Sequence, residues 1–163
     1  MLTIEIFNVS EIIMKFVIQR VTHADVTVDN SVIGKIEKGF LVFIGITSSD
    51  TKEIADAMVK KLINLRVFTD SQDKMNLSIK DIGGSLLLIS QFTLYANCTH
   101  GNRPGFTSAA KPDYANELYE YIISECKKYD VPVQKGEFGA HMKVSLLNNG
   151  PVTIILDSDE IVK

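Results

Sequence analysis

The sequence has no tryptophan, only two cysteines and three histidines, and no surplus of basic residues, and each shortage removes a class of function. Cys98 and Cys126 lie in unrelated segments without a Cys-x-x-Cys spacing or a histidine cluster. A disulfide framework and a zinc site are therefore not expected, and both residues read as free thiols of a reducing cytoplasm. With 17 Lys and Arg against 20 Asp and Glu the formal charge is −3, which argues against wrapping a long nucleic acid. A short contact to one end of a nucleic acid is compatible with that charge. No apolar run approaches the ~20 residues of a membrane span, and no Arg-rich amphipathic leader occurs, so no membrane partner is expected. The Gly-x-x-x-x-Gly-Lys-Ser loop, Gly-x-Gly-x-x-Gly after a strand and His-Glu-x-x-His are all missing. Nucleotide-driven and zinc-dependent chemistry are therefore not expected.

What is present is a chain of 163 residues with 45% hydrophobic content, enough for one domain with a real core. Residues 1–13 carry two acids and no base and read as an N-terminal extension, with Met14-Lys15 resembling a second start. Residues 14–163 form the single domain. From Phe16 the run Phe-Val-Ile-Gln-Arg-Val predicts a short buried strand. Residues 24–28 and 32–36 flank Asp29-Asn30-Ser31 as a hairpin, and the near-continuous apolar run 39–46 reads as a central strand buried on both faces. Asp50-Thr51-Lys52-Glu53 has the form of a capping box, and Ala55, Met58, Val59, Leu62 and Ile63 recur at helical spacing, which predicts a helix over about 51–64.

Residues 66–68 read as a short strand, 69–75 as a polar loop and 85–94 as a further strand. The Asn-, Gly-, Thr- and Ser-rich segment 96–111 is too irregular for an element, and loops longer than ~12 residues tend to be functional or mobile. Pro112 suits the first turn of a second helix over about 113–129. Strands at 142–147 and 152–156 close the chain, with Asn148-Asn149-Gly150-Pro151 between them as a hairpin tip whose proline removes a donor. The sum is an α+β domain: a mostly antiparallel sheet or partly closed β-barrel with two outer helices. A strand-rich chain of this size must hide its edges, and a homodimer is one way to do so.

The polar cluster Ser90-Gln91-Phe92-Thr93 stands where an otherwise apolar strand ends. It either caps that strand or fixes the direction of exposed backbone amides, because buried polar groups need partners. Arg20 closes the first strand, where a guanidinium either reaches solvent or locks backbone carbonyls with its fork of donors. His23, His100 and His141 could serve a Ser/His hydrolase only beside a nucleophile such as Ser90, Thr93 or Ser145. Lys143 reads as a solvated strand residue.

Gln19-Arg20-Val21, Ser90-Gln91-Phe92-Thr93-Leu94, Arg103-Pro104-Gly105-Phe106, GEFGAHM at 136–142 and NNGPVT at 148–153 together resemble the D-aminoacyl-tRNA deacylases, in order and over essentially the whole chain from Met14. The resemblance implies hydrolysis of the ester joining a D-amino acid, or glycine, to the terminal adenosine at the acceptor end of tRNA. It also implies a cytoplasmic homodimer without metal or cofactor. It makes Gly150-Pro151 a Gly-cisPro element inserted into the partner's site, with Arg20 holding its carbonyls and Asn148, Asn149 and Thr153 flanking it. Ser90, Gln91, Phe92 and Thr93 become the catalytic wall, with the Phe92 and Thr93 amides receiving the oxyanion. Phe138, Gly139 and Met142 then contact the adenosine. Two further readings compete, a Ser/His hydrolase of small esters and a non-catalytic nucleic-acid-binding module.

Overall fold

The computed structural model describes residues 13–162, so the N-terminal extension, except Ile13, lies outside the described residues. The elements run β1 (Lys15–Val28), β2 (Ser31–Ile36), β3 (Gly39–Gly45), α1 (Lys52–Asn64), β4 (Phe68–Thr69), β5 (Met75–Leu77), β6 (Ser85–Ser90), a 3-10 turn (Phe92–Tyr95), α2 (Pro112–Lys127), β7 (Val133–Lys135), β8 (Lys143–Asp157) and α3 (Ser158–Ile161). β4 and β5 form a small ribbon, and the other six strands share one sheet. β1 pairs antiparallel with β2, β3 and β8, whereas β3–β6 and β6–β7 are parallel. The sheet curls on itself: a Cβ placed on Gly34 of β2 would stand 2.8 Å from the Lys135 carbonyl of β7. This is the partly closed barrel expected, with a third short helix at the C-terminus.

Two-residue periodicity divides the core. On one face Phe40, Val42 and Ile44 of β3 and Leu86 and Leu88 of β6 pack under Met58, Leu62 and Ile63 of α1 and Ile122, Ile123 and Cys126 of α2. On the other, Leu41, Leu87 and Ile89 meet Val21, Ala24 and Val26 inside the curl. Each Val, Leu, Ile, Phe or Met among them contributes about 1.5–3 kcal/mol when fully buried. Burial also pushes the Cys126 thiol up to about 12, which leaves it inert.

Several local expectations need correction. Residues 16–21 and 24–28 are not separate strands but one, β1. The turn joining it to β2 is as expected, with Asp29 and Asn30 both at positive φ (48° and 63°), the geometry that matches strand twist. The strand from Ser85 stops at Ser90 rather than at Leu94, because the chain tightens into the 3-10 turn. The Asn148–Pro151 tip is no hairpin. Both halves of β8 pair with β1 in the same direction, and the chain bulges outward between them instead of reversing.

The cap of α1 also differs. Thr51, not Asp50, accepts from the Ile54 amide. Asp50 is drawn inward, where one carboxylate oxygen accepts from Met14 N (3.1 Å) and the other from Thr47 N (2.7 Å). The Tyr114 hydroxyl donates to its carbonyl. Asp50 thus ties the start of β1 to the approaches of α1 and α2. Burial raises its pKa above the ordinary 3.8, opposed by those two amides. A folded pKa above the unfolded one contributes stability that is fully present below pH 3.8 and is lost as pH rises through the folded value. Asp50→Asn can satisfy only one of the two amides, so we expect a loss of about 1–3 kcal/mol in urea unfolding. The gap between wild type and variant should narrow as pH rises from about 3.5 to 7, since only the wild type carries the cost of a buried charge. A gap that widens with pH would contradict this account.

Candidate active site

The end of β6 opens onto a cavity of about 550 Å³. Its floor is aliphatic, from Ile44 and Ile89, and Ser90 and Gln91 give one wall polar side chains, with Phe92 following. The Gln91 amide donates to the Ile44 carbonyl (2.8 Å) and so extends the β3–β6 ladder by one bond before the chain turns. Phe92 and Thr93 begin the 3-10 turn, where the first N–H groups have no partner within the turn. Among the described residues neither amide has an acceptor. The Thr93 hydroxyl stands at the rim, outside the cavity lining, and accepts from Gln91 Nε2 at 2.5 Å. That is its one side-chain hydrogen bond among the described residues, so no histidine or carboxylate activates it. Ser90 and His141 share the cavity, but no hydrogen bond joins them among the described residues, and the Ser/His reading has no geometric support.

Aromatic rings shape the mouth. Phe92 is exposed and meets Phe106 edge-on, with ring centroids 5.1 Å apart. Phe138 lies 6.1 Å from Tyr119, whose buried hydroxyl donates to the Leu88 carbonyl (2.7 Å). Phe138, Gly139 and Met142 all line the same cavity. Gly139 turns the chain at φ 76°, a conformation that L side chains rarely adopt. A Cβ on Gly136 would fall 2.6 Å from Met142 Sδ, so the glycine makes room for the methionine that walls the pocket.

The second group of site residues gathers elsewhere. Gln19 pairs with Thr153 and Val21 with Asn148, so residues 149–152 stand opposite Arg20 alone and must leave the sheet. Arg20 holds this bulge from inside: Nε donates to the Asn149 carbonyl (2.7 Å) and one terminal nitrogen to the Val67 carbonyl (2.6 Å). The expectation that it grips the Gly150 and Pro151 carbonyls is thereby shifted by a residue, to Asn149. Asn148 Nδ2 closes the neck by donating to the carbonyls of Arg20 (3.1 Å) and Val152 (3.0 Å). A Cβ on Gly150 would fall 2.2 Å from Val152 N and 2.5 Å from Asn148 Oδ1, so only glycine fits the crest. The Gly150–Pro151 bond is cis, and both residues are exposed.

The two groups do not meet within one chain. Val21, beside the bulge, pairs with Gly39, whereas Ser90 pairs with Ile44. At ~3.3 Å per residue they are separated by roughly 17 Å along the strands. None of Arg20, Asn148, Asn149, Gly150, Pro151 or Thr153 lines the cavity. Reading the sequence for polar clusters passed over Ala109, Ala110 and Ala115, which shape the cavity without chemistry of their own, and gave Phe106 no role beyond its motif. Only the Arg-Pro-Gly-Phe segment carried a signal for Phe106.

The family model described as D-Tyr-tRNA(Tyr) deacylase matches residues 17–157. The chain is 53% identical over 147 residues to a D-aminoacyl-tRNA deacylase of Clostridioides difficile (strain 630), covering 90% of this chain and 99% of that one. It is 54% identical over 147 residues to a D-aminoacyl-tRNA deacylase of Fusobacterium nucleatum subsp. nucleatum, covering 90% and 97%. Among solved structures, it is similar to one described as c-Myc DNA Unwinding Element Binding Protein, at 39% identity and a TM-score of 0.81 over 87% of this chain and 97% of that one. A fold and a sequence that agree to this extent place the chain in the D-Tyr-tRNA(Tyr) deacylase family, and make it a hydrolase.

Proposed function

We propose that this enzyme removes D-amino acids, and glycine, from tRNA by hydrolysing the ester to the terminal adenosine, in sites shared between two copies of the chain in the cytoplasm. The observation that carries the reading is the separation just described: a pocket lined by Phe92, whose amide has no acceptor among the described residues, with no activated nucleophile, and an exposed Gly150–Pro151 crest far from it. A second copy can bring the crest to the pocket. β8 favours this, because among the described residues it pairs only with β1, which leaves its other edge without a strand over residues 143–157. Phe43, Val17 and Ile155 also stand in register across β3, β1 and β8, and Ile155 is 59% exposed. Such a row suits a twofold partner better than water.

In this reading the adenine lies against Phe138 and Met142, and the ester carbonyl points at the Phe92 and Thr93 amides. These stabilise the oxyanion as the carbonyl becomes tetrahedral, and one such donor is typically worth about 3–4 kcal/mol. Thr93 lacks a base, so water attacks, helped by the ribose hydroxyl of the substrate itself. The partner's Gly150 and Pro151 carbonyls face the α-ammonium. With amine and carbonyl pinned, an L side chain points into fixed backbone, whereas a D side chain or a hydrogen does not, and selection works by exclusion. The net charge of −3 is no obstacle, since only the tip of the tRNA is bound.

Purified protein should release tyrosine from D-Tyr-tRNA and leave L-Tyr-tRNA intact. Salt-dependent binding to a DNA duplex without deacylation would replace this reading with a binding module. Thr93→Ala should keep most single-turnover activity on D-Tyr-tRNA; a loss on the order of 10⁴-fold would establish the hydroxyl as nucleophile instead. Two inactive variants test the shared site. Phe92→Pro removes one amide donor and Gly150→Ala disrupts the crest, so co-expressed chains should recover about a quarter of wild-type activity, from one intact site in each mixed dimer. Recovery of nothing, with mixed dimers present, would place the whole site within one chain.

A further inference from the structure

A second cavity of about 240 Å³ lies at the root of the 149–152 bulge, and among the described residues its only charged lining residues are Arg20 and Lys38. Arg20 is 8% exposed, with Nε and one terminal nitrogen committed to the carbonyls of Asn149 and Val67. Its other terminal nitrogen has no partner among the described residues. No buried side-chain nitrogen there is left unsatisfied, so this group opens onto the cavity that Arg20 lines. Lys38 reaches the same space from the turn between β2 and β3, where its carbonyl accepts from Ser85 N (3.0 Å) and fixes the turn. Thr69 and Asn149 add polar groups to the wall, while Phe68 and Ile82 make it partly apolar, which strengthens the field of both cations. A largely buried guanidinium with spare donors beside an ammonium, without a carboxylate in the lining, is a receptor for a tetrahedral oxyanion.

We propose that this cavity binds a backbone phosphate of the tRNA acceptor strand, one nucleotide or more inward from the aminoacylated adenosine. The inference rests on the reading of Gly150–Pro151 as the element that meets the substrate's amine. Asn149 joins the two places, since its carbonyl is held by Arg20 and its side of the bulge walls the cavity. The amine is cationic and is repelled by Arg20 and Lys38. The anions nearest to it on the substrate are the phosphodiesters, which follow the adenosine away from the crest. The pair would thus set the direction in which the strand leaves the shared site, and it gives an acidic protein a local positive contact.

Lys38→Glu separates this role from the chemistry, because Lys38 lies outside the lining of the cavity at Ser90. On D-Tyr-tRNA at 50 mM salt the variant should show KM raised about 5- to 10-fold with kcat unchanged, and the log–log salt slope of kcat/KM should shrink by about 0.7. Lys38→Arg should behave as wild type. The D-tyrosyl ester of adenosine, which has no phosphate, should be hydrolysed equally by wild type and Lys38→Glu. An equal loss on both substrates, or no change on either, overturns the proposal. If wild type deacylates neither substrate, the reading of the enzyme fails separately. Binding of a cytidylyl-cytidylyl-adenosine trinucleotide then decides the subsite: weaker binding by Lys38→Glu supports it, and equal binding overturns it.

Discussion

The hydrogen bonds from Arg20 to the carbonyls of Asn149 and Val67 are what the rest of this site depends on. A strand that leaves its ladder for residues 149–152 exposes backbone groups and has no register to hold it. A carboxylate has no proton to give a carbonyl; the guanidinium donates to two from different segments and stays rigid while doing so. Asn148 then ties the neck of the bulge across Arg20 and Val152. The crest is therefore presented outward by a buried cation, and the same cation offers its spare donors to the small cavity behind.

The larger cavity is built on a different economy. Its floor belongs to the two-sided core, so Ile44 and Ile89 are placed by packing that would exist without any substrate. On the reading proposed, chemistry enters where regular structure ends: the β6 ladder stops after Gln91, and the tight turn leaves the Phe92 and Thr93 amides without acceptors among the described residues. Fixed dipoles of this kind need no reorganisation during reaction, which is how a site without an activated side chain can still lower a barrier.

Much of this was legible in the residues. The near-continuous apolar run of β3 and the helical spacing of α1 are local patterns that point to a buried strand and a helix, and the turn at Asp29-Asn30 has a composition that suits a hairpin. The polar cluster at Ser90–Thr93 stood out because it broke an apolar run. Asn148–Pro151 was misread as a tip because Asn-Gly is a turn signal in either setting. Whether a strand reverses or bulges is decided by its neighbour, and β1 is long enough to pair with both halves of β8. Asp50 was misread for the same reason, since a carboxylate beside a helix start can cap it or turn inward, and Met14 N, far away in sequence, decided the matter. The cavity's alanines carried no signal, because small residues are informative only once something is known to lie beside them.

The placement of pocket and crest at opposite ends of one sheet has a consequence for the life of the molecule. On the reading proposed, a single chain can complete its fold, bury its core and still be inert, because each half of its site faces solvent. Competence then belongs to the encounter rather than to the fold. It rises with the square of chain concentration when copies are scarce and becomes proportional to it once they are paired. A proofreading enzyme built this way is silent while it is being made, and it becomes active on meeting another of its kind.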